Sequence, residues 1–476
     1  MKRIIPYFIL LFFPFFNHAQ IGSRAVHDKV TGIILKEYNT GNYKGIYKIL
    51  DKDFKKNINE KEISDFFKFN VFDLYGTIKT LSFIEFKNDQ YIYLADCKNG
   101  KLDLNIVCDI NGKISSMQWL PHLEKLVEPP SLNTGVFKSD NPKANAWDLK
   151  VDSVVNVFLK NPVNCGLSIA IYKNKEVQYY NYGDVKRGAN QLPTNKTIYE
   201  IGSVSKTFAG ILLAQAVIDK KMNLNDPVKK YLGANYKYLN YKSKEVELMH
   251  LANHSSRVHR LPFDLMKQPD YNPLNPYANY NKDLVMKYIS NMTIDTFPGL
   301  KSEYSNLGMG LLGILIESVY AKSYEDLIIE KITGPMGMAD TRLTLNDDQK
   351  VRFAIGYDIE GKETPYWTLG ALPGAGGIRS NTYDMMKYTI ANLIEENPAF
   401  KLSHSSTFND GNNNIGLAWH LFTTKRGNEL IWHNGRTAGF GSFCGFIKSK
   451  DIGIVVLGNS GNPVDQVALG LLKLLQ

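Results

Sequence analysis

The hydrophobic pattern of residues 22–120 predicts a small α+β domain. Apolar residues recur three or four positions apart through residues 25–38 and 62–76, which is typical of amphipathic helices. Alternating apolar residues then predict a run of strands joined by Asn-Gly turns. The predicted strands are 81–86, 90–95, 102–108 and one that begins near Ile114.

Residues 146–476 show a different pattern, with strands at both ends and helices between them. The helix of 208–218 is apolar on nearly every face, which predicts a central buried position. We expect one antiparallel sheet closed by the two ends of the domain, with a helical region inserted. The predicted strands are 167–172, 177–182, 420–424, 429–433, 440–447 and 452–457, and the flanking helices are 147–159 and 464–475.

Two segments outside these domains have their own composition. Residues 121–145 are rich in Pro, Asn and Ser, which predicts a linker. Residues 1–19 place Lys2 and Arg3 before a short apolar run, which predicts a cleaved signal peptide and a periplasmic or secreted protein. We expect no transmembrane segment in the remainder, because no later stretch is long and apolar enough.

Composition narrows the class of protein further. The chain has 476 residues, of which 44% are hydrophobic and 22% charged, as in globular proteins. Its net charge of +9 comes from scattered residues without a basic cluster, which argues against nucleic-acid binding. A two-residue turn at Asn99-Gly100 would pair residue 97 with 102 and residue 108 with 91, so Cys97 and Cys108 would not face each other. We therefore expect free, mostly buried thiols.

The stretch GSVSKTF, residues 202–208, offers a candidate nucleophile. Ser203 and Lys206 are three positions apart and share one face at the start of the apolar helix. A buried lysine beside the hydroxyl would activate it, and the Ser203 amide at the helix N-terminus would be available to an oxyanion. Equally, Ser203 could be a simple N-cap with Lys206 solvated. The stretch alone leaves both interpretations open.

Two later stretches add candidate polar groups. Tyr304 and Asn306 are alternate residues that would face one cavity, where a phenol with a pKa lowered by an ammonium group could move protons. His433 and Gly435 would share a face of a strand interrupted by glycines, which often marks the close approach of a ligand. The alternatives are a tyrosine on the first turn of a helix and a glycine-rich turn with one histidine.

The ordered set Ser203-x-x-Lys206, Tyr304-x-Asn306 and His433-x-Gly435 resembles the serine β-lactamase and penicillin-binding-protein-like family. The likeness is greatest to the branch of class C β-lactamases, D-aminopeptidases and esterases. IYEIGSVSKTFAGILLAQ, LMHLANHSS, FPGLKSEYSNLGMGLLG and WHNGRTAGFGSF occur in the family's order. The resemblance implies a β-lactamase-like catalytic domain at 146–476, an antiparallel sheet flanked by helices plus a helical region. The preceding α+β domain resembles cystatin-like or nuclear-transport-factor-like modules, with a positioning or dimerising role.

The resemblance also implies catalytic roles. Ser203 would be the acylated nucleophile, Lys206 its activator, and Tyr304 the acid/base of acylation and deacylation. No cofactor or metal is implied, and the substrate would be a small molecule or a peptide such as a cell-wall fragment.

Substrate binding is implied for a second set of residues. Asn306 would hydrogen-bond Lys206 or the substrate amide, and the backbone amides of Ser203 and Arg436 would form the oxyanion hole. The third motif, His433-Asn434-Gly435, would line the same cavity.

Two departures from the family pattern bear on specificity. His433 stands where most β-lactamases have lysine, and near its reference pKa of about 6.5 it would be only partly charged. Weaker anchoring of a carboxylate favours esterase or D-amino-peptide hydrolase activity. His254-Ser255-Ser256-Arg257 replaces the usual His-Thr-Ser-Gly beside the cavity, and pocket size depends on the insertion 260–288.

Other interpretations have less support in the sequence. His250 and His254 could share a helix face as metal ligands, but they lack the glutamate of a His-Glu-x-x-His zinc site. The glycine-rich run 374–377 lacks the strand and lysine of a phosphate loop, which favours a turn beside the active site. The prediction is an exported serine hydrolase that cleaves an ester, amide or lactam bond. The alternatives are an envelope-binding sensor that acylates slowly or not at all, and a true class C-type β-lactamase.

Overall fold

The computed structural model describes residues 21–87, 89–122, 137–233, 236 and 239–476. The chain divides into two compact units, Met1–Pro129 and Pro130–Gln476. The predicted signal peptide at 1–19 and most of the predicted linker lie outside the described residues. None of the helices in the described ranges has the length and apolarity that a membrane span requires.

The N-terminal unit packs short helices against one four-stranded antiparallel meander. Its helices are α1 (Arg24–Asn39), α2 (Tyr43–Ile49), α3 (Lys52–Asn57), α4 (Glu60–Asp65) and α5 (Asp73–Tyr75). Its strands, in sheet order, are β1 (Ile78–Lys87), β2 (Gln90–Cys97), β3 (Gly100–Cys108) and β4 (Ile114–Pro121). Alternate residues of β3, from Leu102 to Cys108, enter the buried core.

The turn between β2 and β3 lies one residue earlier than the sequence predicted. Cys97 pairs with Gly100, so Lys98 and Asn99 form the turn and the glycine begins the strand. The predicted pairing of residue 97 with residue 102 is therefore wrong. The expectation of free, buried thiols is confirmed for Cys97, Cys108, Cys165 and Cys444.

The larger unit is organised around an eight-stranded antiparallel sheet. Its order is β13 (Phe408–Asn409), β14 (Asn414–Ile415), β15 (His420–Thr423), β16 (Glu429–Arg436), β17 (Gly441–Ile447), β18 (Ile452–Gly458), β5 (Gly166–Lys173) and β6 (Glu176–Gly183). Strand β18 pairs with β5 from Ile452↔Lys173 to Gly458↔Leu167. The prediction of one antiparallel sheet closed by both ends of the domain is confirmed.

Helices and short ribbons fill the rest of this unit. The helices are α6 (Ala146–Leu159), α7 (Ser205–Ile218), α8 (Lys229–Leu232), α9 (Leu248–Ala252), α10 (Lys282–Asn291), α11 (Asn306–Tyr320), α12 (Tyr324–Ile328), α13 (Asp347–Val351), α14 (Thr382–Ile394), α15 (Pro398–Ser403) and α16 (Asp465–Leu475). The ribbons pair β7 (Tyr199–Glu200) with β12 (Arg379–Ser380), β8 (Asn240–Tyr241) with β9 (Lys244–Glu245), and β10 (Gly356–Tyr357) with β11 (Glu363–Thr364). Helix α7 is buried along most of its length, as its uniformly apolar sequence predicted.

The last part of the predicted linker is an integral part of the larger unit. Phe137 packs against its hydrophobic core, and the backbone N–H of Gly183 donates to the carbonyl of Lys138 at 2.8 Å. Asn141 is buried and donates through Nδ2 to the Tyr182 hydroxyl at 2.6 Å. Residues 137–145 therefore do not form the free linker that their composition predicted, because Phe137, Lys138 and Asn141 contact the larger unit.

Candidate active site

Ser203 and Lys206 meet at the N-terminal end of α7. Ser203 lies in a 3₁₀ turn, Gly202–Val204, and Lys206 is in the first turn of the helix with none of its surface exposed. The lysine Nζ is 3.0 Å from Ser203 Oγ and also donates to the carbonyl oxygen of Ala375 at 2.5 Å. The interpretation of Ser203 as an N-cap with a solvated lysine is wrong, because its hydroxyl caps neither helix.

Burial determines the charge of Lys206. Desolvation holds the pKa of its amine well below the usual lysine value, and the charge of Arg260 lowers that pKa further. A neutral amine at 3.0 Å can accept a hydrogen bond from the Ser203 hydroxyl. Ala375 belongs to the glycine-rich run 374–377, so this turn contributes a backbone acceptor to the site.

Tyr304 lies against the same lysine. Lys206 Nζ is 4.7 Å from the centre of the Tyr304 ring, and the Ser203 side chain lies near enough to the phenol to influence its pKa. Desolvation raises the pKa of Tyr304, although the Ser203 contact and the charge of Arg260 act to lower it. The expectation of a lowered pKa is wrong, because desolvation of the phenol outweighs the influences that lower its pKa. Tyr304 is therefore a protonated phenol that can donate.

Asn306 is the first residue of α11, directly after its N-cap Ser305. Its Nδ2 donates to the Tyr277 hydroxyl at 3.0 Å, and its Oδ1 is buried with no hydrogen-bond partner among the described residues. The hydrogen bond to Lys206 is not formed, since the lysine donates to Ala375 instead. Asn306 thus presents an unused acceptor, while Tyr277 from the insertion fixes its orientation.

His433 lies on β16 and is neutral. Burial holds the pKa of His433 well below the usual histidine value, and the nearby His420 and Lys206 lower it further. Its Nδ1 donates to the Asn434 carbonyl at 2.5 Å, which leaves Nε2 as a buried acceptor without a partner among the described residues. The expectation of a partly charged histidine is therefore wrong.

Asn434 and Gly435 point to opposite faces of β16. The Asn434 Nδ2 donates to Asp465 Oδ1 at 2.6 Å, so this side-chain amide is already paired with α16. Strand alternation places it opposite to His433 and Gly435. A Cβ atom at Gly435 would lie 2.2 Å from the Ile201 carbonyl oxygen and 2.8 Å from the Ser203 nitrogen. Only glycine lets this strand approach the Ser203 turn so closely.

A second glycine brings the Arg436 backbone to the same place. Gly202 has φ +47, and a Cβ there would lie 2.8 Å from the Arg436 nitrogen. Ser442 on β17 fixes the turn by donating to the Ile201 carbonyl at 2.7 Å. The backbone amides of Ser203 and Arg436 are thereby held on neighbouring segments.

The turn 254–257 contributes contacts that sequence motifs did not identify. The His254 ring lies 4.4 Å from that of Tyr304, and its Nδ1 accepts from the Ser305 N–H at 3.3 Å. Arg257 has φ +63, which explains why glycine is usual here. Its buried guanidinium binds both oxygens of Asp295, at 3.0 and 2.9 Å, and Glu303 beside Tyr304 at 2.9 Å. The only sequence signal for these ion pairs was the departure from the family pattern at Arg257.

The metal interpretation of His250 and His254 has no geometric support. His250 Nδ1 accepts from the Glu247 N–H at 3.0 Å, and His254 binds the Ser305 backbone. Across the described ranges, no group of three or more His, Cys, Asp or Glu side chains is placed to hold a metal ion.

Comparison with known proteins places this geometry in a family. The Beta-lactamase family model matches residues 151–476. A Beta-lactamase of Pseudomonas fluorescens is 27% identical over 350 residues, covering 66% of this chain and 93% of that protein. The D-alanyl-D-alanine-carboxypeptidase/endopeptidase AmpH of Escherichia coli K12 is 26% identical over 311 residues, covering 61% of this chain and 78% of that protein.

Solved structures agree. A class C beta-lactamase has a TM-score of 0.60 at 25% identity, covering 69% of this chain and 96% of that one. The Beta-Lactamase/D-Alanine Carboxypeptidase from Pseudomonas syringae shares the fold, with a TM-score of 0.60 at 22% identity, covering 69% and 99%. The chain therefore belongs to the Beta-lactamase family and is a serine hydrolase of the β-lactamase and penicillin-binding-protein type.

Proposed function

We propose that Ser203 attacks an ester or amide carbonyl and forms an acyl-enzyme that water then hydrolyses. The observation that carries this proposal is the 3.0 Å separation between Ser203 Oγ and the buried Lys206 Nζ, whose pKa burial holds well below the usual lysine value. A neutral amine at hydrogen-bond distance is the base that a serine nucleophile requires.

In acylation, Lys206 takes the proton as Ser203 Oγ forms its bond to the carbonyl carbon. The oxyanion accepts hydrogen bonds from the backbone N–H groups of Ser203 and Arg436. One such donor is worth about 3–4 kcal/mol of barrier. The glycines at 202 and 435 support this role, because they let the two backbone segments approach.

Collapse of the tetrahedral intermediate needs an acid. Tyr304 gives its proton to the leaving oxygen or nitrogen, and the Lys206 ammonium returns one to the phenolate. The raised pKa of Tyr304 supports a donor rather than a phenolate base. Water then attacks the acyl-enzyme with the same two groups moving protons in reverse.

The unpartnered atoms of the site would orient the substrate. Asn306 Oδ1 and His433 Nε2 are both buried acceptors, so they fit donors such as a peptide N–H or a hydroxyl group. A neutral His433 also supports esters and D-amino peptides over substrates that require a cation on this strand. The named carboxypeptidase activity of one relative is consistent with this choice.

A true class C-type β-lactamase is the second candidate. Relatives described as Beta-lactamase in Pseudomonas fluorescens and Yersinia enterocolitica each align over more than nine-tenths of their own length. A lactam is opened by the same nucleophile, and only the substrate would differ.

Labelling with a fluorophosphonate probe, followed by intact-mass measurement, tests the nucleophile. We expect one adduct on the wild type, none on Ser203→Ala, and an adduct on Ser205→Ala. Ser205 is the matched serine, since its Oγ accepts from the Ile378 N–H at 3.1 Å and faces away from the lysine. Full turnover of an activated ester by Ser203→Ala would contradict the proposal.

A substrate panel separates the remaining possibilities. Initial rates on a D-Ala-D-Ala peptide, a short-chain ester and a chromogenic cephalosporin would rank peptidase, esterase and β-lactamase activity. Stoichiometric labelling without release of the acyl group would instead favour an envelope-binding sensor.

Export and the role of the N-terminal unit are part of the same proposal. The charged and apolar pattern of residues 1–19 supports a cleaved signal and a periplasmic or secreted enzyme. N-terminal sequencing of the mature chain tests cleavage.

Sedimentation tests dimerisation through the N-terminal unit. It would compare the full chain with a Cys97→Asp variant, which disrupts the core of that unit.

A further inference from the structure

Burial disfavours positive charge at the groups inside the site. It holds the pKa of both His433 and Lys206 well below their usual values. An exposed cation beside the site is therefore better placed than either group to attract a substrate anion.

Arg260 is an exposed cation beside these buried groups. It opens the insertion 260–288, its side chain is exposed, and its guanidinium carbon is 5.1 Å from the centre of the Tyr304 ring. Lys206 Nζ lies against the same ring at 4.7 Å, so the guanidinium is close to the reacting atoms. Its charge accordingly lowers the pKa of both Lys206 and Tyr304.

The backbone of Arg260 is fixed to the catalytic segment. Its carbonyl oxygen accepts from the N–H groups of Asn306 and Leu307, at 3.0 and 3.2 Å, at the start of α11. The preceding carbonyl, of His259, accepts from the Ser305 hydroxyl at 2.7 Å. The backbone of Arg260 is therefore held in place beside Tyr304 and Asn306. This reduces the conformational entropy lost when the residue binds a ligand.

The charge of Arg260 has no acidic neighbour to neutralise it. Asp264, four residues on, accepts from the Tyr280 hydroxyl at 2.6 Å, and Glu303 pairs with Arg257. No ion pair joins Arg260 to a carboxylate within the described part of the chain.

Arg436 differs in this respect. Arg436 also reaches the surface, but partial burial lowers the pKa of its guanidinium, and the carboxylate of Asp465 opposes that lowering. Asp465 is held nearby by the Asn434 amide at 2.6 Å. A carboxylate therefore acts on Arg436, whereas no carboxylate forms an ion pair with Arg260 among the described residues.

We propose that Arg260 is a specificity-determining residue that binds a carboxylate on the substrate, so that the preferred substrates are acid-bearing esters or peptides. This inference rests on the proposed function, because it assigns a substrate class to the Ser203 site. A guanidinium binds a carboxylate through two parallel hydrogen bonds, a geometry that lysine cannot reproduce.

A pair of esters tests the proposal. We measure kcat/KM for para-nitrophenyl butyrate and for the para-nitrophenyl monoester of glutaric acid, which adds a carboxylate to a similar acyl chain. The ratio of the two, anionic over neutral, should fall about 10- to 100-fold in Arg260→Gln. Arg260→Lys should give an intermediate ratio, and added salt should lower the ratio of the wild type.

The matched control is Arg426→Gln. Arg426 is exposed in the turn between β15 and β16, and its replacement removes the same charge from the same unit. We expect the ester ratio to stay at the wild-type value. A ratio unchanged in Arg260→Gln, or lowered equally by Arg426→Gln, would overturn the proposal. Equal losses on both esters would also overturn it and make Arg260 a positioning residue for Tyr304.

A binding measurement tests the role of Arg260 independently of the proposed nucleophile Ser203. Calorimetry on Ser203→Ala with glutarate should detect binding that is lost when Arg260→Gln is added. Ester turnover by Ser203→Ala would refute the proposed nucleophile and leave this binding result intact. Absence of glutarate binding to Ser203→Ala, with its melting temperature unchanged, would overturn the role of Arg260.

Discussion

The buried part of the site and its exposed edge differ in whether they favour a positive charge. Lys206 and His433 are buried and uncharged, whereas Arg260 and Arg436 keep exposed side chains at the edge. Desolvation turns an amine or imidazole into a proton acceptor, while a guanidinium stays charged in either place. One cleft can thus contain a base for chemistry and a cation for recognition, a short distance apart.

Removal of the interior base should have the largest effect. Lys206→Met is expected to slow acylation about 10²- to 10⁴-fold, because Ser203 then loses its general base. The rate of fluorophosphonate labelling measures this step directly. Lys401→Met removes an exposed lysine from α15 and should label at the wild-type rate. Equal labelling rates for the two variants would show that the base lies elsewhere.

The second largest effect is expected when β16 is moved away from the turn that carries Ser203. In Gly435→Ala the added methyl group would lie 2.2 Å from the Ile201 carbonyl oxygen, so β16 or the turn has to move. A displacement of about 1 Å in an oxyanion hole costs on the order of 10²-fold in rate. Gly32→Ala, which enters open space on α1, is the control. A wild-type kcat with an unchanged melting temperature would contradict the close contact.

The smallest expected effect is a shift in the pH dependence of kcat/KM when Arg260 no longer acts on the pKa of Lys206. Lys206 acts only when unprotonated, so kcat/KM should fall as pH decreases through its lowered pKa. Because the charge of Arg260 contributes to that lowering, Arg260→Gln should raise the pKa of Lys206 and move the acid limb to higher pH. The pH profile of the neutral ester measures the shift. A limb that stays in place or moves to lower pH would refute electrostatic contact between the two groups.

Local patterns predicted the catalytic helix well. Positions 203 and 206 meet because the first turn of a helix fixes residues three apart, whatever the rest of the chain does. Closure of the sheet was also predictable, since strand patterns at both ends of the domain with helices between them leave few alternatives.

Electrostatic states were not predictable in the same way. The neutral form of His433 depends on burial, which comes from elements that only the tertiary fold brings together around it. Residues 137–145 have the composition of a linker, yet the sheet satisfies their polar groups. Arg260 lies in a loop whose course depends on backbone contacts to α11, which no local pattern encodes.

The order of the sheet also determines when the enzyme can become active. Ser168 on β5 pairs with Leu457 on β18, so the sheet joins the first and last long strands of the domain directly. Contacts so distant in sequence form late in folding. The acceptor for Lys206 at Ala375 and the backbone amide of Arg436, the proposed second oxyanion donor, likewise come long after Ser203 in synthesis. We therefore expect a nascent chain to carry Ser203 without its activating neighbours, and hydrolytic activity to begin only when the final strands have been added.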